Sequence, residues 1–271
     1  MTGALVAYRW ELRKLVAQKR TYIGLGAAAV LPVVFVMVMA LQKGGPYDAP
    51  LGHNLRRTGL ALALVVLNFV SRFGAQLVAA LVAGDIVASE HAGKTLKMIL
   101  TRSLRRGQIL TGKTLASFTY VVATTFVLGA AGLIAGSAAW GFNPLTNLSG
   151  VRVSTLHTLW LSVAALGVFS LPLIAVAAFA ILLSTLTRNS AGSIVGTLVY
   201  ALGQEAIAGL VHQSWAKHYL LSDQFDGWHG LFMSPIDWTL IVRAAWVSAL
   251  FAAVPLALAY GIFKSRDVAD D

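Results

Sequence analysis

Residues 153–187 read VSTLHTLWLSVAALGVFSLPLIAVAAFAILLSTLT, with no charged side chain from one end to the other. Crossing a bilayer takes about 20 apolar residues, because the hydrocarbon layer is about 30 Å thick and a helix rises about 1.5 Å per residue. The stretch exceeds that length, as do the uncharged runs 114–151 and 244–263. Lipid supplies no hydrogen-bond partners to a peptide backbone, so runs of this kind are helices. Pro172 makes 153–187 one long kinked helix, in preference to two shorter segments.

Composition agrees. Hydrophobic residues make up 57% of the 271 and charged residues only 12%, roughly half the charge of a soluble domain. The chain has no cysteine, which excludes disulfides and thiolate metal sites. The first apolar run, 21–41, is too long for a signal-peptide core and follows a basic segment of twenty residues. The expected fold is an all-α membrane protein with six spans at about 21–41, 60–84, 112–138, 158–186, 189–211 and 240–262. Residues 1–20 form a separate leading helix and 213–238 an outer loop. Gly and Pro clusters at 43–46 and 140–144 mark two of the connections.

Lysine and arginine set the orientation. Fourteen of the 21 fall on segments assigned to the cytoplasm and six on the opposite side, with Arg72 inside a span. Both termini are therefore expected in the cytoplasm and the chain in a cell (inner) membrane, of prokaryotic type. The net charge of +10 is then a topology signal with anionic lipid as its counter-surface, and no nucleic acid partner is expected.

Residues 5–20 have the pattern of an interfacial helix. Leu5, Tyr8, Leu12, Leu15 and Val16 share one helical face, and Glu11, Arg13 and Lys14 lie elsewhere around the wheel. The segment 85–111, between spans 2 and 3, contains a second amphipathic piece. Leu96, Ile99 and Leu100 make its apolar face and Lys94 and Lys97 the other, which suits docking on a cytoplasmic partner. Ser103 is the expected N-cap of the helix that enters span 3.

The order Glu90, Lys94-Thr95-Leu96-Lys97, Ile99-Leu100-Thr101, Arg106, Ile109-Leu110, Gly112-Lys113 resembles the signature of ABC-type-2 permeases. These are the membrane subunits of ATP-binding-cassette exporters. The six-span plan, the leading helix and the ending Tyr260-Gly261-Ile262-Phe263-Lys264-Ser265-Arg266-Asp267 are similar too, so the likeness covers the whole chain. Many members have proline where this chain has Ser103. The resemblance implies a coupling helix between spans 2 and 3 that docks on a separate ATPase subunit through Glu90, Gly93, Lys94, Thr95, Leu96, Lys97, Met98, Ile99, Leu100, Arg102 and Arg106. It also implies a second copy or a homologous permease as partner. The chain itself would hold no cofactor and catalyse nothing, because ATP and Mg belong to the partner.

Gly107-Gln108-Ile109-Leu110-Thr111-Gly112-Lys113-Thr114 matches the GxxxxGK[ST] phosphate-loop pattern. That loop requires a strand before it and a soluble α/β domain around it. Here a basic turn precedes it and a membrane span follows, so the match is expected to be coincidental. Arg188 and Asn189 form a short turn between spans 4 and 5, read as a hairpin and secondarily as a smaller ATPase contact.

Inside the spans, Arg72 and Glu205 are the formal charges, and charges at that depth face a bundle interior or a water-filled path. Asn68 and Gln76 flank Arg72 at helical spacing, and Gln204 adjoins Glu205. These five make a candidate translocation or helix-pairing surface, with an Arg72–Glu205 pair as one form of it and Arg72 snorkelling outward as another. Gly132 with Gly136, and Gly192 with Gly196, allow close helix approach. In the outer loop, His218, Asp223, Asp226 and His229 fit no metal-binding spacing, and no metal is expected. The alternatives from other classes are an ion-driven carrier or channel without an ATPase, and a membrane-embedded lipid-modifying enzyme. The sequence does not specify the substrate.

Overall fold

The computed structural model describes residues 3–41, 51–54, 57–71, 74–92, 104–211 and 213–265. In chain order the α-helices are α1 (Gly3–Val16), α2 (Lys19–Leu41), α3 (Leu60–Ser71), α4 (Gly74–Asp85), α5 (Ala88–Ala92), α6 (Arg106–Trp140), α7 (Thr155–Thr187), α8 (Ser190–Leu210), α9 (Ser214–Lys217) and α10 (Trp238–Ser265). A 3-10 segment, Ser222–Phe232, precedes α10. Two-residue strands β1 (Leu145–Thr146) and β2 (Arg152–Val153) pair antiparallel between α6 and α7.

Among the described residues, α2, α6, α7, α8 and α10 are each long and apolar enough to cross a membrane. A sixth span is obtained if α3 and α4 count as one, although the two are inclined by 62° to each other. The chain is therefore a helical, multi-pass membrane protein. The helices α2, α7, α8 and α10 begin and end within a few residues of the stretches expected for spans 1, 4, 5 and 6. Span 3 starts earlier than 112, because α6 begins at Arg106 and is capped by Arg105, whose amide donates to Gln108 Oε1 at 3.0 Å. The expected cap, Ser103, lies outside the described residues, as do residues 93–102 of the expected 85–111 docking segment.

Where one continuous span is expected at 60–84, the described residues form two helices, α3 and α4, inclined by 62°. The hydrophobic pattern does not reveal the bend, because both helices are predominantly apolar. Asn68 and Gln76 consequently lie on different helices. Helical periodicity aligns residues only along an unbroken axis, so the expected polar stripe does not form as one face.

At the centre stands α7, one helix through Pro172 and buried along most of its length. It packs against α4, α6, α8, α10 and the 3-10 segment. Several buried hydroxyls satisfy themselves: Ser162, Ser170, Thr124, Thr125 and Thr197 each donate to a carbonyl four residues earlier. That arrangement removes polar atoms from lipid without demanding a partner helix. At one end the connections are stitched together. Gly59 donates its amide to Gly141 O at 2.9 Å, Thr58 Oγ1 to Asn143 O at 2.7 Å and Leu148 its amide to Phe232 O at 3.0 Å. Residues 213–238 do not lie wholly at the surface: Phe225, Trp228 and Phe232 are buried in the core.

Glycines decide how closely α3 meets α6. A Cβ on Gly136 would come within 2.3 Å of Gly59 O and 2.8 Å of Leu62 Cβ, and one on Gly132 within 2.8 Å of Ala63 Cα. Gly167, in the middle of α7, would meet nothing within 4 Å. Gly136→Val should therefore destabilise the bundle by about 1–3 kcal/mol, the usual cost of overpacking. Gly167→Ala should leave stability unchanged or slightly raised. Thermal unfolding in detergent distinguishes the two.

Candidate functional site

Three helices meet where α6 begins, and the sequence explains why they can. Gly112 presents no side chain to α1: a Cβ there would fall 2.6 Å from Ala7 Cβ and 2.7 Å from the Tyr8 amide nitrogen. Tyr8 Oη and Thr119 Oγ1 hydrogen bond at 2.9 Å one level deeper. The α4–α5 corner is held from the other side by α7, where Ser184 Oγ accepts from the amides of Val87 and Ala88.

Into this junction α6 delivers Lys113, which has no solvent exposure. Its Nζ lies 2.7 Å from Glu11 Oε1 of α1 and 2.6 Å from Glu90 Oε1 of α5, and donates to Ile86 O at 3.2 Å. An ammonium has three protons, and each has an acceptor here. Glu90 Oε1 also takes Lys14 Nζ at 2.6 Å. Arg20, at the start of α2, pairs with Asp85 at the end of α4. Three cations and three carboxylates thus tie together α1, α2, α4, α5 and α6. Tyr260 joins the C-terminal part of α10 to the same end through Thr111.

Burial by itself pushes the Glu90 carboxyl up, but Lys113 and Lys14 outweigh it and hold the group below the ordinary carboxylate range. A carboxylate lowered on folding stabilises the fold above its unfolded value, and stops doing so as pH falls through the folded one. The contribution is therefore intact at neutral pH and lost on acidification below the ordinary carboxylate range.

This geometry corrects one expectation and places several others. Glu11, expected on the polar side of the leading helix, is on its buried face with Ala7 and Leu15, because Lys113 needs it there. Leu5 and Val16, expected on the apolar face, are exposed instead. Glu90 is buried in the hub, and Arg106 opens α6. Gly93, Lys94, Thr95, Leu96, Lys97, Met98, Ile99, Leu100 and Arg102 lie outside the described residues, between those two. The phosphate-loop look-alike is not a loop: 107–114 are the first turns of α6, and its lysine is committed to carboxylates. Lys113 was the signal that reading by motif passed over. A lysine inside an apolar helix must find anions, and Glu11 and Glu90 are two of only 11 acidic residues in the chain.

A second polar group lies within the bundle. Gln76 of α4 meets Gln204 and Glu205 of α8 around one small pocket, closed by Tyr200, Ser222 and Phe225. Gln76 is buried. Asn68 does not line this pocket, and Arg72 lies outside the described residues. Arg188 adopts a left-handed conformation with φ 53°, and Asn189 caps α8 by accepting from the amides of Ala191 and Gly192. Among the described residues no three His, Asp or Glu side chains converge on a point, and Asp223 is paired with Arg243.

A family model described as a protein of unknown function, DUF2705, matches residues 26–269. The chain belongs to this family. A search of curated proteins finds no match. The matched range holds Asp85, Glu90 and Lys113 but starts after α1, so the DUF2705 region supplies half of the hub and the leading helix supplies Glu11 and Lys14.

Lys113→Met leaves Glu11 without its counter-ion and Glu90 with the part-exposed Lys14, and should cost about 3–5 kcal/mol, as breaking a buried pair from one side does. Lys14→Met removes a cation that is 40% open to solvent and should cost only about 1 kcal/mol. Denaturant or thermal unfolding of the purified chain in detergent measures both.

Proposed function

We propose that this chain is the permease subunit of an ATP-binding-cassette exporter, multi-pass in a cell (inner) membrane with both termini in the cytoplasm. Two copies, or one copy and a homologous permease, would form the pathway. Two separate ATPase subunits would bind ATP and Mg and supply the energy. The observation that carries this reading is the position of Glu90. The resemblance to ABC-type-2 permeases makes it the first residue of an ATPase-docking segment, and Glu90 is ion-paired to Lys113 of α6 and Lys14 of α1.

A docking segment is useful only if a push on it reaches the spans. The 93–102 segment enters from Glu90 and leaves through Arg106, the first residue of α6. Displacement by an ATPase would therefore reach α6 directly at one end, and α1, α5 and α6 together through the hub at the other. The Gln76–Gln204–Glu205 pocket lies further along the same bundle, where α4 meets α8, and would contribute to the pathway or to helix pairing.

Gentle extraction and affinity purification of the tagged chain should bring down a stoichiometric ATPase. Replacing Leu96, Ile99 and Leu100 together with aspartate should remove it while the permease still folds. If the intact chain purifies with no ATPase, this reading fails.

A further inference from the structure

At the end of the bundle remote from the hub, α10 starts beside the 3-10 segment and α9. A shallow groove of about 580 Å³ lies there, rimmed by His218, Tyr219, Trp238, Val242, Arg243 and Trp246. Trp and Tyr are ordinary at a membrane interface, where a belt of them sits at headgroup depth. This group is different in two ways. Trp238 and Trp246 are eight residues apart on one helix, hence about 12 Å apart in depth. The aromatics also surround a cation that is held inward.

Arg243 is only 23% exposed, and Asp223 takes one of its terminal nitrogens at 3.2 Å. Its Nε is buried and has no acceptor among the described residues. An arginine with no role beyond this pairing would turn its remaining N–H groups to water. Arg243 instead lines the groove while held by Asp223, and an oxyanion there would match the fork geometry of a guanidinium. Below the groove, Val242, Trp246, Leu250, Val254 and Leu258 recur every four residues, all exposed. This stripe runs for about 24 Å along the helix, more than the depth of one leaflet's hydrocarbon of about 15 Å. The groove is thus a seat for an anion with an apolar track leading from it into the membrane.

We propose that this groove binds one anionic phospholipid, its phosphate on Arg243 and its acyl chain along the Val242–Trp246–Leu250 stripe of α10. Charge complementarity selects the headgroup and the stripe selects an amphiphile over a free anion. The Asp223 carboxylate competes with the phosphate for the guanidinium and so tunes the affinity. The proposal does not depend on the transport reading. Under the orientation proposed above, the lipid would come from the outer leaflet.

The full chain, purified in a mild detergent, is titrated with phosphatidylglycerol and separately with phosphatidylcholine, with bound lipid counted by native mass spectrometry. One phosphatidylglycerol should bind about tenfold more tightly than phosphatidylcholine, the difference that one charge-assisted contact supplies. Arg243→Gln should abolish the preference. Asp223→Asn, which frees the guanidinium, should increase it; were the pair only a clamp between the 3-10 segment and α10, that change would weaken folding and leave the preference alone. Trp246→Ala should weaken both lipids. Should Arg243→Gln not fold, Asp223→Asn and Trp246→Ala still decide. Equal binding of the two lipids, displacement by inorganic phosphate at matched concentration, or a change in the number of chains per particle on Trp246→Ala would overturn the proposal. The last two would assign the groove to a free anion and to a second copy.

Discussion

A lysine ammonium without access to water is unstable alone, and Lys113 sits where α1, α5 and α6 converge with no exposed surface at all. Its position in the third turn of α6 is set by the covalent chain. The burial follows from the packing of α1 across Gly112. Given those two facts, the carboxylates of Glu11 and Glu90 must come to it, and with them the helices that carry them. The pairing makes this end of the bundle one body: α1 is held to α6, and α5 to both. Arg20 with Asp85 extends the same logic to α2 and α4.

The opposite end is organised by other means. Backbone and amide hydrogen bonds join 51–59 to 141–148, and the 3-10 segment fills the space above α7 with Trp228 and Phe232. The contrast is physical. That end is tied mainly by hydrogen bonds and apolar packing, with the single ion pair Arg243–Asp223 beside them among the described residues. At the hub, by contrast, losing Lys113 leaves a carboxylate uncompensated in low dielectric, which is costly. Under the transport reading proposed above, such a tightly coupled end would suit a part that passes a displacement on to the spans, because packed parts that switch between discrete arrangements amplify small shifts.

How much of this could be read beforehand follows from where the signals lie. Long apolar runs reveal spans directly, so α2, α7, α8 and α10 were legible, and α7 stays one helix through Pro172 because its neighbours surround it. The bend between α3 and α4 was not legible, since both helices are predominantly apolar and their few polar residues do not mark it. Glu90 was legible as part of a motif, whereas its partner Lys113 was obscured by a stronger but irrelevant phosphate-loop pattern. Glu11 was misplaced because the helical wheel of residues 5–20 has two apolar sides. Leu5 and Val16 face outward, and Tyr8, Leu12 and Leu15 face α6. Only a buried cation on the neighbouring helix shows which side turns inward. The Gln76–Gln204–Glu205 grouping was half legible: polar residues in spans announce themselves, but the choice of helices that meet depends on tertiary packing.

The account rests on Lys113 as the tie that holds the leading helix to the bundle. Hydrogen exchange of the purified chain, with Lys113→Met beside the unaltered protein, tests it most directly. The account predicts that amides of residues 3–16 lose their protection in the variant, while those in the middle of α7 keep theirs. Full protection of residues 3–16 in the variant would contradict it, since α1 would then be held by apolar packing alone.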